Sequence, residues 1–282
     1  MKLVSWNIQW CLGCDGRVDP ERIVREARAF ADFDVLCLQE VASNFPALEG
    51  SRGEDQFAAI AALLPEYAAV PGIAVDTDGP DGTRRRFGNM ILSRYPVQQV
   101  SRLRLPQPHD PSVRSMPRLL LEAVVEAPFG LLRIMTTHLE YYSAVQRAAQ
   151  VEALRDWHAQ ACSHALGAGV RDESQGPFQR PRETISAVLC GDFNQAPTDP
   201  LQMRLLEEFG DGAPAFDDAW DVLHPLEARP PTTGVHDREQ WPEPFACDFI
   251  LATRDLRHRL RAVAVDATTA ASDHQPLSLE MR

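Results

Sequence analysis

Seven short apolar runs in this chain end in, or carry within them, Asn, Asp, Glu or His side chains. Asn7 follows Leu3 to Trp6, Glu40 follows Val35 to Leu38, Asn89 lies inside Phe87 to Ser93, and His138 follows Ile134 to Thr137. Asp192 and Asn194 follow Val188 to Cys190, Asp248 lies within Cys247 to Leu251, and Asp273 with His274 precedes Pro276. One polar residue at a strand end shows only that the strand emerges into water. Seven such groups imply strand ends that converge on a shared site.

The rest of the pattern is compatible with that demand. Strands are expected over 2–8, 35–38, 67–71, 87–93, 97–105, 119–127, 131–137, 185–190, 247–252, 260–265 and 276–281, with hairpins turning at Pro96 and Pro128. Helices are expected over 20–31, where Asp19 is a suitable N-cap, and over 55–64, 143–166 and 200–209; in the third, Val145, Ala149 and Leu154 set an amphipathic rhythm. Residues 167–184 read as a loop, and the Pro-rich stretch 224–244 as the longest irregular segment, of the kind that often carries function. Strands dominate without the strict alternation of a wholly parallel sheet. This predicts an α/β (α+β) four-layer sandwich, two mixed sheets face to face under outer helices, in a single domain over 1–282.

No apolar run approaches the roughly 20 residues of a membrane span. The N-terminus lacks a secretory pattern, so a cytoplasmic location is expected. No obligate protein partner is implied. The formal charge of −12 argues against a protein that coats nucleic acid. The average hides a segment, however: from Arg84 to Arg118 eight arginines face one acid, Asp110, a local +7 against −19 for the remainder. Cys37, Cys190 and Cys247 lie in or beside apolar runs and read as reduced core residues, while Cys11 and Cys14 form a C-x-x-C with no second half. His109, His158, His164, His224, His236 and His258 match no catalytic pattern and read as surface or loop residues.

Four carboxylates in one cleft, from Glu40, Asp192, Asp248 and Asp273, are unfavourable unless cations neutralise them. Oxygen donors without a cysteine cluster select a hard divalent ion, Mg²⁺ or Mn²⁺, which polarises a phosphoryl oxygen. Asp192 and Asn194, two apart, would point the same way in an extended chain, one to activate water and one to hold a phosphate oxygen, with Gly191 leaving room beside them.

In this order SWNIQW, LQEV, GNMILSRYP, TTHLEYYS, GDFNQAP, CDFILA and SDHQPL span residues 5–277. The ordered set resembles the signature of the endonuclease/exonuclease/phosphatase family, with the deoxyribonuclease I-like fold. The resemblance implies Glu40 as principal metal ligand, with Asn7 beside it and Asp273 adding a carboxylate. It implies catalytic roles for His138, Asp192, Asn194 and His274, with Asp248 fixing the tautomer of His274. Asn89, Arg118 and Trp241 are expected to contact substrate: Asn89 and Arg118 belong to the arginine-rich segment, and Trp241 could stack on a ring. The activity implied is a metal-dependent phosphodiesterase, with nucleic acid slightly favoured. The alternatives are a phosphomonoesterase or phospholipid headgroup hydrolase, and a non-catalytic binding module on the same fold.

Overall fold

The computed structural model describes residues 1–79, 82–167, 176–179, 182–210 and 212–282. Of the loop expected over 167–184, residues 168–175 and 180–181 lie outside the described residues. Among the described residues, twelve strands form two six-stranded sheets. In the first, β11 (Leu260–Val265), β12 (Leu277–Met281), β1 (Lys2–Asn7), β2 (Val35–Ser43), β4 (Arg84–Ser93) and β3 (Ala68–Asp78) lie side by side. In the second the order is β5 (Val97–Arg104), β6 (Leu119–Ala127), β7 (Gly130–His138), β8 (Ala187–Asp192), β10 (Asp248–Thr253) and β9 (Phe216–Asp218). The pairs β1–β2 and β7–β8 are parallel and their neighbours antiparallel, so both sheets are mixed.

Between the sheets, Leu3, Cys37 and Ile91 pack with Leu121, Ile134, Cys190 and Ile250. On the outer face of the first sheet, α1 (Pro20–Phe30) and α2 (Gln56–Leu63) cover Val4, Trp6, Leu36 and Leu92. On the outer face of the second, α3 (Ala144–Leu166) and α4 (Pro200–Leu206) cover Leu120, Met135, Leu189 and Phe249. The result is the expected four-layer sandwich. The Asp19 carboxylate caps α1 by accepting from Arg22 N, and Pro20 supplies the preset first turn. No helix among the described residues is long and apolar enough to cross a membrane.

The two-residue period of a strand places the site. On the inward faces, Leu3, Ser5 and Asn7 of β1 fall on one side, as do Ile134, Thr136 and His138 of β7. Val188, Cys190 and Asp192 do the same on β8. Apolar residues at one end of each row build the core, and the row continues into polar residues at the other end.

Several expectations are corrected. Pro96 turns no hairpin: β4 and β5 belong to different sheets, so Tyr95 and Pro96 carry the chain across the sandwich, whereas Pro128 does sit in the β6–β7 hairpin. Strand β2 does not stop at Leu38 but runs to Ser43, and β3 continues to Asp78. The short β9 and α5 (Ala219–Leu223) were not foreseen. On α3, Val145 is exposed, and the buried side carries Gln146, Gln150, Arg155 and His158 together with Val151 and Leu154. Those polar groups donate to backbone carbonyls, Gln146 to Pro108 O and Arg155 to Arg204 O, so apolar spacing alone misidentifies the face.

Candidate active site

Backbone irregularities aim the site's side chains. The β2–β4 register shifts between Leu38 and Val41, and inside that bulge Glu40 takes a left-handed φ of 60°. A bulge re-aims a side chain, and a left-handed glutamate persists only where its surroundings hold it there. Glu40 is therefore a mid-strand residue turned into the cleft, not the strand-end residue expected. Directly after β1, Gln9, Trp10 and Cys11 are all left-handed, and Asn194 has φ 52°. Asp192 and Asn194 are thus brought together by a turn and not by extended alternation; the Asp192 carboxylate accepts from Asn194 N at 2.9 Å. Gly191 serves the fold: a Cβ there would lie 1.9 Å from Thr137 O on β7.

Asp192 Oδ2 is the focus of the cluster. It accepts from Asn7 Nδ2 at 3.0 Å and lies 3.5 Å from His138 Nε2 and 3.8 Å from His274 Nε2. Asn7 Nδ2 also reaches Glu40 Oε1 at 3.2 Å, and His138 Nδ1 lies 3.7 Å from the same oxygen. The Asn7 oxygen is occupied by Gln9 N, so Asn7 bridges the two carboxylates through its nitrogen. His274 Nδ1 lies 2.8 Å from Asp248 Oδ2, which also accepts from Thr232 Oγ1 at 2.6 Å. Trp6 Nε1 donates to His274 O, and Ser272 Oγ donates to Asn7 O. Sequence reasoning singled out neither Thr232 nor Ser272: Ser272 was within a quoted motif, whereas Thr232 sits in the Pro-rich segment with no local signal.

Burial and crowding shape the charges. Burial, then the Asp273 carboxylate, pushes the Glu40 carboxyl up to about 7. Burial likewise raises Asp192 to about 6, against the lowering effect of His274. The histidines are driven apart. Burial, reinforced by Arg118 and His274, holds His138 well below the usual imidazole range; for His274, burial pulls downward but Asp248, Asp273 and Asp192 outweigh it and hold the ring well above that range. One imidazole is neutral and one charged, a separation suited to distinct proton-transfer roles.

The cluster opens into a cleft of about 620 Å³. Arg118 and Trp241 line it. Arg118 is buried and pairs with Glu140 at 3.3 Å, and Trp241 Nε1 donates to Asp273 Oδ2 at 3.0 Å. Asn89 does not line it. Its side chain faces inward between the sheets, where Nδ2 donates to Leu119 O at 3.4 Å, so the expectation of substrate contact is corrected to a stitch between sheets. The arginine-rich segment is also mostly elsewhere. Arg84 pairs with Asp76 and Asp78, Arg94 with Asp32 and Asp34, and only Arg114 and Arg118 reach the cleft.

Among the described residues, Asp192, Cys247 and His274 bring ligand atoms within 4.8 Å of one another, close enough to share a divalent cation. Burial holds the Cys247 thiol well above its ordinary range, which keeps the sulfur protonated and disfavours it as a ligand. The oxygen-rich Glu40 side is the better fit for a hard cation: Glu40 is a crowded carboxylate, repelled by Asp273 and Asp192, whose hydrogen bond comes from a single amide. The Asp273 oxygens already accept from Ser272, Gln240 and Trp241. All six cysteines are free; Cys11 is buried and Cys14 donates to Ser272 O. His158, expected at the surface, is fully buried.

A family model described as the endonuclease/exonuclease/phosphatase family matches residues 4–274. No curated protein matches the chain. Among solved structures, an endonuclease/exonuclease/phosphatase from Beutenbergia cavernae is 26% identical, with TM-score 0.71, covering 100% of this chain and 71% of that one. A 3′ phosphatase from Neisseria bound to a product DNA hairpin is 21% identical, with TM-score 0.61 and coverage of 100% and 99%. A mannosyl-6-phosphatase from Bacteroides thetaiotaomicron is 14% identical, with TM-score 0.64 and the same coverage.

Proposed function

The chain belongs to the endonuclease/exonuclease/phosphatase family of phosphoester hydrolases, and from that premise we propose that it is a divalent-cation-dependent phosphodiesterase with nucleic acid as its substrate class. The observation that carries this reading is the convergence of Asn7, His138 and His274 on one oxygen of Asp192, with Glu40 alongside. Asp192 takes the proton of an attacking water, its carboxylate oriented by Asn7 and by Asn194 N. His274, charged and held by Asp248, donates from Nε2 to a phosphoryl or leaving oxygen. His138, kept neutral, donates a hydrogen bond without adding positive charge. Asn194 commits one amide hydrogen to Leu139 O and offers the other to a phosphate oxygen. A cation, Mg²⁺ or Mn²⁺, held by Glu40 with Asp273 and Asn7 around it, would supply electrophilic charge on the phosphoryl group.

Nucleic acid is favoured over a lipid headgroup or a sugar phosphate by the rim. Half-exposed Tyr141 and Tyr142, with Trp241 and Arg114 beside them, offer faces on which a base can stack. Pure protein incubated with Mg²⁺ and bis-p-nitrophenyl phosphate should release p-nitrophenol. No turnover of that ester, DNA, RNA or phospholipid headgroups would sink the reading.

A further inference from the structure

Resting on the phosphodiesterase reading, we propose that the cleft recognises the end of a single nucleic acid strand, one base lodged beside the scissile phosphate, and does not track along a duplex.

Three observations lead there. First, the cleft is closed along one side. The segment bearing Gln240 and Trp241 bridges it: Trp241 stacks edgewise on Tyr141 at 5.8 Å, and Gln9 Nε2 donates to Gln240 Oε1 at 3.4 Å. A continuous duplex needs a groove open at both ends. Second, the cationic groups suffice for about one phosphate. Arg114 lies over the Tyr142 ring at 4.5 Å and donates to its hydroxyl. Arg118, fixed through Nε by Glu140, is buried and keeps Nη1 without a partner, a donor suited to a phosphate oxygen. The charges of Arg84 and Arg94 are paired with acids away from the cleft lining, whereas duplex binding gains most of its affinity from a row of unpaired positive charge. Third, the cleft lining includes an apolar recess of Trp10, Phe45, Val75, Phe87 and Met116, with the Phe45 and Phe87 rings edge to face at 6.3 Å. Aromatic and apolar side chains suit the face of a base, and the cleft volume of about 620 Å³ is that of a small-molecule pocket.

The test compares two esters that share a leaving group: thymidine 5′-monophosphate p-nitrophenyl ester and methyl p-nitrophenyl phosphate. The thymidine ester should have at least about tenfold higher kcat/KM, the value of one stacked base. Filling the recess with Val75→Phe should reduce that ratio by about the same factor. Independently of any variant, linear single-stranded DNA should be shortened from an end while closed circular single-stranded DNA and closed circular duplex stay intact. Cleavage of either circle at a rate near that of the linear strand, or equal kcat/KM for the two esters, would overturn the inference and leave the phosphodiesterase reading standing. Turnover of none of these substrates would remove both.

Discussion

Two buried polar clusters share strand β7, and they handle charge in opposite ways. On its inward face, His138 joins Asn7, Glu40, Asp192 and His274 in the cleft, where burial drives Glu40 and Asp192 up to about 7 and 6. On its outward face, Arg133 sits under α3 in a closed network. Its guanidinium meets Glu122 at 2.8 Å and lies 3.1 Å from His158 Nδ1, while Trp157 Nε1 also donates to Glu122. His158 Nε2 lies 2.9 Å from Pro214 O, which fixes the neutral tautomer with Nδ1 accepting from Arg133. The first cluster is the one proposed to hold a cation and a substrate; the second finds its hydrogen-bond partners within the protein. Perturbed charge marks function only where the structure leaves it uncompensated.

The largest expected effect separates the two by activity. Asp192→Asn should lower turnover by about 10³-fold, the scale of a lost proton acceptor, with little change in thermal stability because a repelled charge is removed. Steady-state kinetics beside a thermal melt checks both halves.

Breaking the satisfied network should do the reverse. Arg133→Met leaves Glu122 charged and unpaired in the interior and should cost about 3–5 kcal/mol of stability, while turnover per folded molecule is retained. The double change Glu122→Leu with Arg133→Met should recover most of that loss in denaturant titrations. A double variant as unstable as the single one would show that the pair is not self-contained.

The smallest effect is the sharpest in sign. Burial, then the Arg133 charge, lowers His158 from 6.5 to about 4, so the unfolded chain protonates first as pH falls; stability from this residue is full above about 6.5 and is lost towards 4. Glu40 and Asp192 are raised, so the folded state protonates first, and stability rises as pH falls through about 7 and 6 towards their ordinary values. Stability measured from pH 7 to 4 should therefore steepen downward in Asp192→Asn and flatten in His158→Gln, by up to roughly 3 kcal/mol for the histidine. Identical slopes in both variants would contradict the contrast.

Much of the architecture was legible because strand alternation and motif order are local properties of the sequence. Asp192 and His138 could be placed because each ends an apolar run whose inward parity continues to it; His274 was found by its motif, since the inward parity of Leu277 and Leu279 leads back to Gln275 and Asp273 instead. Glu40 was found by its position in LQEV, but the bulge and left-handed φ that aim it depend on pairing with β4, which no local pattern encodes. Asn89 shares that limit: inside a motif it looks functional, and only the approach of Leu119 from the other sheet shows it as a structural donor. His158 was misread because the partners that bury it, Arg133 and Pro214, are distant in sequence. The arginine-rich segment misled through summation: two of its arginines, Arg84 and Arg94, are paired with Asp32, Asp34, Asp76 and Asp78, which lie outside it.

If the crowded carboxylates of the cleft hold a divalent cation, as proposed, calorimetric titration of Mg²⁺ near pH 7 in buffers of different ionisation enthalpy will register it. Binding should be accompanied by proton release, since burial and Asp273 push the Glu40 carboxyl up to about 7 and it must be ionised to ligate, with both signals lost in Glu40→Gln. Binding without proton release, or binding unaltered by Glu40→Gln, would contradict that proposal.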